Sequence, residues 1–154
     1  VEELLERLSL GTVTLIDEAV TVRQGDRTWP AVKVDVGNPH AVVFVEGGVL
    51  EGLELHHAPV WEPATAYPEG VNVEFIHVEA PGRLVMRVHE RGVGETMSCG
   101  TGVVAAAAAY RARTGFDGPV VVNVPGGALS VEFTGDDARL TGPAVIVGRG
   151  EFWI

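Results

Sequence analysis

The stretch RGVGETMSCGTGVVAAAAAY, Arg91 to Tyr110, decides how this chain folds. A glycine-studded turn leads through a lone cysteine, Cys99, into a run of alanines. The run predicts a helix from about Gly100 to Thr114, with Gly115 as its stop signal. VVAAAAAY is apolar all round for two turns, so the helix has no wet face. Such small side chains let strands approach closely from every side.

The surrounding sequence supplies those strands. Short valine-rich segments read as strands over Thr12–Ile16, Ala19–Arg23, Ala31–Val36, Ala41–Glu46, Val71–Glu79 and Leu84–His89. After the alanines the same signal covers Val120–Val124, Ala128–Phe133, Ala138–Leu140 and Val145–Val147. Gly126–Gly127 marks a hairpin turn. Glu2–Leu8 reads as a short helix with Leu4, Leu5 and Leu8 on one face, and Val49–His57 as a second, weakened by Gly52. Pro59–Pro68 reads as a loop. The expected fold class is α+β: a curved, mostly antiparallel sheet rolled around a central helix, forming one domain.

Composition narrows the function. Hydrophobic residues make up 46% and charged residues 21% of the 154, which suits a folded soluble protein. Eleven basic against 21 acidic residues leave a net charge of −10, which argues against nucleic acid or an anionic membrane as partner. No apolar run is long enough to span a bilayer, and no leader pattern is visible at the N-terminus. One cysteine forms no internal disulfide, so a cytoplasmic location is expected.

Cys99 admits two readings. Cysteine is among the most buried residue types, so composition favours core filler. Position favours chemistry, because unpaired N–H groups and the positive dipole end at a helix start stabilise a thiolate. On that reading the Cys99 pKa should lie below that of a free thiol. Gly100 and Gly102 let a ligand approach the backbone, Thr101 adds a hydroxyl, and such a turn can cradle a carboxylate. Other chemistries fit poorly. A serine-hydrolase elbow needs glycine where Thr96 stands. Lys33 is the only lysine, which disfavours a phosphate loop or a Schiff base. The histidines at 40, 56, 57, 77 and 89 lack zinc-site spacing, so no metal is expected.

Two further clusters carry chemical residues. GNPHAVVFV, Gly37 to Val45, places Asn38 and His40 at a strand junction. HERGVGE, His89 to Glu95, sets Glu90 and Arg91 between a strand and the cysteine loop, and Arg91 could grip a carboxylate. Asn72 opens an apolar strand and could equally be a turn residue.

Together, GNPHAVVFV, YPEGVNVEFIHVE, RVHERGVGETMSCGTGVVAAAA and VNVPGG, in that order, resemble the diaminopimelate epimerase family. The resemblance covers the chain from about Trp29 to residue 154 and leaves residues 1–28 poorly matched. It implies a cofactor-independent isomerase that interconverts LL- and meso-diaminopimelate for lysine and peptidoglycan synthesis. It also implies two similar lobes with the substrate between them. Carried over residue by residue, Cys99 matches the family's second catalytic cysteine, described as the proton acceptor, with His40 and Glu90 assisting. Asn38, Asn72, Glu90, Arg91, Gly100 and Thr101 match substrate-binding positions.

The sequence departs from the family in one respect. Such enzymes are close to twice as long, and their first lobe carries another cysteine in a Cys-Gly-Asn-Gly-type motif that is absent here. The chain is therefore expected to be the C-terminal lobe, working with an N-terminal lobe in cis or in trans. An exposed inter-lobe face would favour a homodimer. Two alternatives stand beside this reading: a degenerate, non-catalytic lobe that binds an amino acid or pairs with itself, and a lobe of a proline racemase-type enzyme.

Overall fold

The computed structural model describes residues 3–154. Its strands are β1 (Glu3–Thr12), β2 (Thr14–Gln24), β3 (Arg27–Asp35), β4 (Pro39–Phe44), β5 (Val60–Glu62), β6 (Asn72–Ala80), β7 (Arg83–Glu90) and β8 (Gly94–Thr96). The helix α1 (Gly100–Thr114) follows, and then β9 (Val120–Val124), β10 (Gly127–Thr134) and β11 (Asp137–Val145). All eleven strands join one open mixed sheet in the order β1-β11-β10-β9-β7-β6-β4-β3-β2-β5, with β8 attached to β7. Only β4 with β6 and β7 with β9 pair in parallel; the remaining pairs are antiparallel.

The sheet curves around α1 for the reason its sequence gives. Val103 to Ala107 are fully buried, as Ala108 to Tyr110 nearly are, and the helix meets β3, β4, β6, β9, β10 and β11. Alanines keep that spacing short. Gly115 ends the helix in the left-handed region at φ 74°, and its N–H returns to the Arg111 carbonyl. The Tyr110 hydroxyl accepts the Gly82 N–H at 2.9 Å across the buried far end of the helix. Tyr110→Phe strands that buried donor, and urea denaturation should show a loss of about 1–3 kcal/mol.

Alternation along the central strands sorts side chains onto two faces. Val42 and Ile76 pack into the core around α1. Ala41, Val43, Val73 and Phe75 belong to a second core, roofed by Leu50, Leu53, Leu55 and Tyr67 from the long β4–β6 connection. The same two-residue period puts His40 on β4, and Asn72 and Glu74 on β6, on the side that faces α1. Three polar residues thus enter an apolar core together.

Several expected elements differ. From Glu3 onward, the segment read as a helix is the edge strand β1, paired with β11; Glu2 lies outside the described residues. A partner at the far end of the chain overrides the local leucine spacing, and Leu4, Leu5 and Leu8 remain 37%, 79% and 54% exposed. Within 49–57 only a single 3-10 turn forms, Leu50–Gly52, ending at the glycine that disfavours a longer helix. The two expected strands between Thr12 and Arg23 merge into β2, with an irregularity between Ile16 and Val20. Ala138–Leu140 and the start of the next expected strand merge into β11, which ends at Val145. The loop after Pro59 contains β5, which pairs with β2. The β9–β10 hairpin forms with its loop at Pro125–Gly126, one residue earlier than expected. Residues 3–28, unmatched by the resemblance, supply β1, all of β2 and the first two residues of β3, all in the common sheet.

Candidate active site

Strand β7 is where the sheet forks. Its first residues, Arg83 to Val85, pair with β9, while Val88 to Glu90 pair with β8. Arg87 stiffens the fork through a two-bond contact with Glu95, Nε to Oε1 and Nη2 to Oε2, both at 2.8 Å. Its guanidinium also donates to the Leu50 carbonyl at 2.7 Å. From β8 the chain passes through Met97 and Ser98 to Cys99, the N-cap of α1. Gly126, in the VNVPGG turn, supports this passage by donating its N–H to the Met97 carbonyl at 2.9 Å.

Cys99 heads a hydrogen-bonded chain that runs inward. Its sulfur lies 3.6 Å from Thr101 Oγ1. Asn38 Nδ2 donates to the same Thr101 oxygen at 3.2 Å, and Asn38 Oδ1 lies 2.9 Å from His40 Nε2. His40 Nδ1 is 2.6 Å from Glu74 Oε1, with both side chains fully buried. The β3–β4 turn delivers Asn38 and His40: Gly37 sits at φ 90° and donates its N–H to Asp35 Oδ1, leaving both on the helix side.

The remaining candidates surround this chain. Asn72 is buried and engaged with backbone: Nδ2 donates to the Pro39 carbonyl at 3.1 Å, and Oδ1 accepts the Arg91 N–H at 2.9 Å. It therefore ties the start of β4 to the end of β7. The Arg91 aliphatic stem lies over Gly70, where an added Cβ would come within 3.0 Å of it. The exposed Arg91 guanidinium makes no hydrogen bond or ion pair among the described residues and stands as a free cation. Glu90 is half-buried, and its charge acts on both Cys99 and Glu74. Gly100 and Thr101 occupy the first turn of α1, whose leading N–H groups lack intrahelical acceptors.

The protonation of Cys99 reverses one expectation. Burial pushes the thiol up, outweighing the Thr101 hydroxyl and the Gly102 N–H that favour the thiolate; Glu74 and Glu90 push it further up. Cys99 closes no capping hydrogen bond to the helix backbone. Removal of the sulfur from water thus holds the thiol above its ordinary value, opposite in direction to what the helix start alone suggests.

Sequence reasoning missed Glu74. In YPEGVNVEFIHVE it looks like one more alternating polar residue, and only the parallel register with β4 reveals that it points inward at His40. Burial raises the Glu74 pKa, and the His40 contact only partly opposes this. The folded chain thus holds this proton to higher pH than the unfolded chain. Its contribution to stability is full below the ordinary carboxylate value and is lost as pH rises through the folded value. Glu74→Gln is expected to weaken the pH dependence of unfolding above about pH 4.3, read from urea midpoints.

One cluster arises that spacing did not signal. The ligand atoms of Glu54, His56 and His57, all exposed, lie within 4.8 Å of one another. Among the described residues no hydrogen bond or ion pair joins its side chains to the cysteine chain. No helix among the described residues is long and apolar enough to cross a membrane.

An open sheet rolled about a small-residue helix, with a cysteine at the helix start and an Asn-His-Glu chain behind it, defines an epimerase-like lobe. The diaminopimelate epimerase family model matches residues 32–151, and this chain belongs to that family. It is 46% identical to a diaminopimelate epimerase of Streptomyces coelicolor over 153 aligned residues, which cover 94% of this chain and 53% of that protein. It is 48% identical to the Mycobacterium ulcerans enzyme of the same name, covering 82% of this chain and 45% of that protein. The chain thus spans about half the length of the relatives it matches. A solved structure from Pseudomonas aeruginosa, described as a predicted epimerase, has the same fold. It superposes with a TM-score of 0.60 at 15% identity, covering 94% of this chain and 59% of that one.

Proposed function

We propose that the chain is one lobe of a cofactor-independent diaminopimelate epimerase and contributes Cys99 as one of two acid–base thiols. The observation that carries the proposal is the chain from Cys99 through Thr101 and Asn38 to His40, at the open start of α1. The Arg91 guanidinium and the first N–H groups of α1 would receive the carboxylate of the reacting centre, with Glu90 and Asn72 framing the site. Abstracting an α-proton needs a base, a dry site and stabilisation of charge on that carboxylate. Inversion needs a second group on the opposite face, which this chain's single cysteine leaves to an N-terminal lobe.

Cys99 enters the cycle protonated. The opposing thiolate takes the α-proton, and the Cys99 S–H delivers its proton to the other face of the same carbon. The reverse direction exchanges the roles, so the acceptor role implied by the resemblance belongs to that half of the cycle. His40 cannot touch substrate, being fully buried with both ring nitrogens engaged. It acts through Asn38. The reaction serves lysine and peptidoglycan precursor synthesis, and a lone unpaired thiol suits a reducing cytoplasm.

The purified chain alone should interconvert LL- and meso-diaminopimelate negligibly, and adding a lobe with the second cysteine should restore the reaction. Full-rate conversion by the chain alone would refute the division of labour. A self-associating lobe without catalysis is the second reading, favoured by Val93 and Met97, which flank the site at 75% and 64% exposure. Sedimentation with and without the added lobe separates the two.

A further inference from the structure

Glu74 is an expensive residue to keep. It lies in the middle of β6 between Val73 and Phe75, is fully buried, and its Oε2 has no hydrogen-bond partner. Burying a carboxyl group with half its acceptors unmet costs several kcal/mol, and an apolar side chain would avoid that cost. The helix also makes room for it. An added Cβ at Gly102 would lie 2.6 Å from Glu74 Oε1, so only glycine lets the first turn of α1 pass over the carboxyl.

The hydrogen-bond directions show what the residue accomplishes. Asn38 Nδ2 donates to Thr101 Oγ1, so Asn38 Oδ1 is an acceptor, and the His40 Nε2 facing it must carry hydrogen. One proton then lies between His40 Nδ1 and Glu74 Oε1, whether the pair is imidazolium with carboxylate or imidazole with carboxylic acid. In either form the pair is neutral overall. Thr101 Oγ1 accepts from Asn38, which leaves its own O–H available to donate to the Cys99 sulfur 3.6 Å away. Every donor in the chain is thereby turned toward Cys99.

We propose that Glu74 is a positioning residue: through the proton it shares with His40, it fixes Nε2–H toward Asn38 and so aims the Thr101 hydroxyl at the Cys99 sulfur. This rests on the reading of Cys99 as an acid–base thiol. The titratable groups acting on that sulfur are Glu74 from β6 and Glu90 from the end of β7, and those acting on Glu74 are His40 from β4 and Glu90.

The test uses the chain without substrate. Nitrogen NMR of His40 is combined with the pH dependence of Cys99 alkylation by iodoacetamide, in the unmodified chain, Glu74→Gln and Glu74→Leu. The unmodified chain should show hydrogen on Nε2 throughout the neutral range. Glu74→Gln can donate an amide N–H to Nδ1 and keeps the pair neutral, so it should retain Nε2–H and the same alkylation profile. Glu74→Leu frees the ring, and loss of the Thr101 donor should raise the thiol pKa by about one unit, a tenfold slower alkylation at fixed pH. Removal of a negative charge alone would act in the opposite sense and speed alkylation. Faster or unchanged alkylation in Glu74→Leu overturns the proposal, as does hydrogen on Nδ1 with a bare Nε2 in the unmodified chain. If the leucine variant does not fold, the spectra of the other two proteins decide, and loss of Nε2–H in Glu74→Gln counts against it. Deuterium exchange into diaminopimelate, assayed with an added lobe, reports separately on the epimerase reading. Its failure with an intact Nε2–H leaves the role of Glu74 standing.

Discussion

Cys99→Ala should lower LL-to-meso interconversion by about 10²–10⁴-fold when the chain is paired with a lobe supplying the second cysteine, the range attributable to one positioned acid–base group. The substitution removes the only thiol and little else. Cys99 is 8% exposed, closes no cap hydrogen bond, and contacts Thr101 at 3.6 Å, the long end of a sulfur interaction. Stability should therefore change by no more than the loss of one small buried side chain, about 1 kcal/mol. Cys99→Ser tests the chemistry alone, since it preserves shape and hydrogen bonding but replaces the thiol with a far weaker acid; it should be nearly as slow. Stopped-assay rates and urea midpoints measured on the same preparations separate loss of a proton carrier from loss of fold.

Gly102→Ala should destabilise the fold although it places a better helix former in α1. In an ordinary helix the exchange gains about 1 kcal/mol. Here the new Cβ would meet Glu74 Oε1 at 2.6 Å and its Cγ and Cδ at 3.2 Å. The carboxyl is boxed in by His40 and by the β6 backbone, so it yields only by breaking the 2.6 Å bond to His40. Overpacking costs about 1–3 kcal/mol and a lost charged hydrogen bond about 1.5–3. The penalty therefore exceeds the helical gain, with a net destabilisation of roughly 1.5–5 kcal/mol. Urea unfolding measures it. A stabilised Gly102→Ala protein would show that the glycine serves no close approach.

How much of this was legible in the sequence follows from the range of each interaction. The helix Gly100–Thr114 and its stop at Gly115 are local facts of composition, and the structure has them at those residues. The curved, mostly antiparallel sheet followed from a helix with no polar face. The N-terminal edge was misread because leucines at helical spacing carry no trace of a strand partner at Asp137–Val145. Glu74 was missed for the same reason: its meaning depends on the parallel pairing of β6 with β4, which sets Asn72 opposite His40 and Glu74 at the next position on the same face, and no spacing within β6 encodes that. The helix start alone suggested a lowered Cys99 pKa, whereas burial of the sulfur in the core around α1 pushes it up.

The central claim is that Cys99 is one of two proton carriers and that this chain holds only one. Deuterium incorporation at the α-carbon of diaminopimelate, followed by NMR in D2O with and without an N-terminal lobe bearing the second cysteine, tests it most directly. Exchange with inversion is expected only when both are present, and it should vanish in Cys99→Ala. Exchange and inversion at full rate by this chain alone, or rates unchanged in Cys99→Ala, would contradict it.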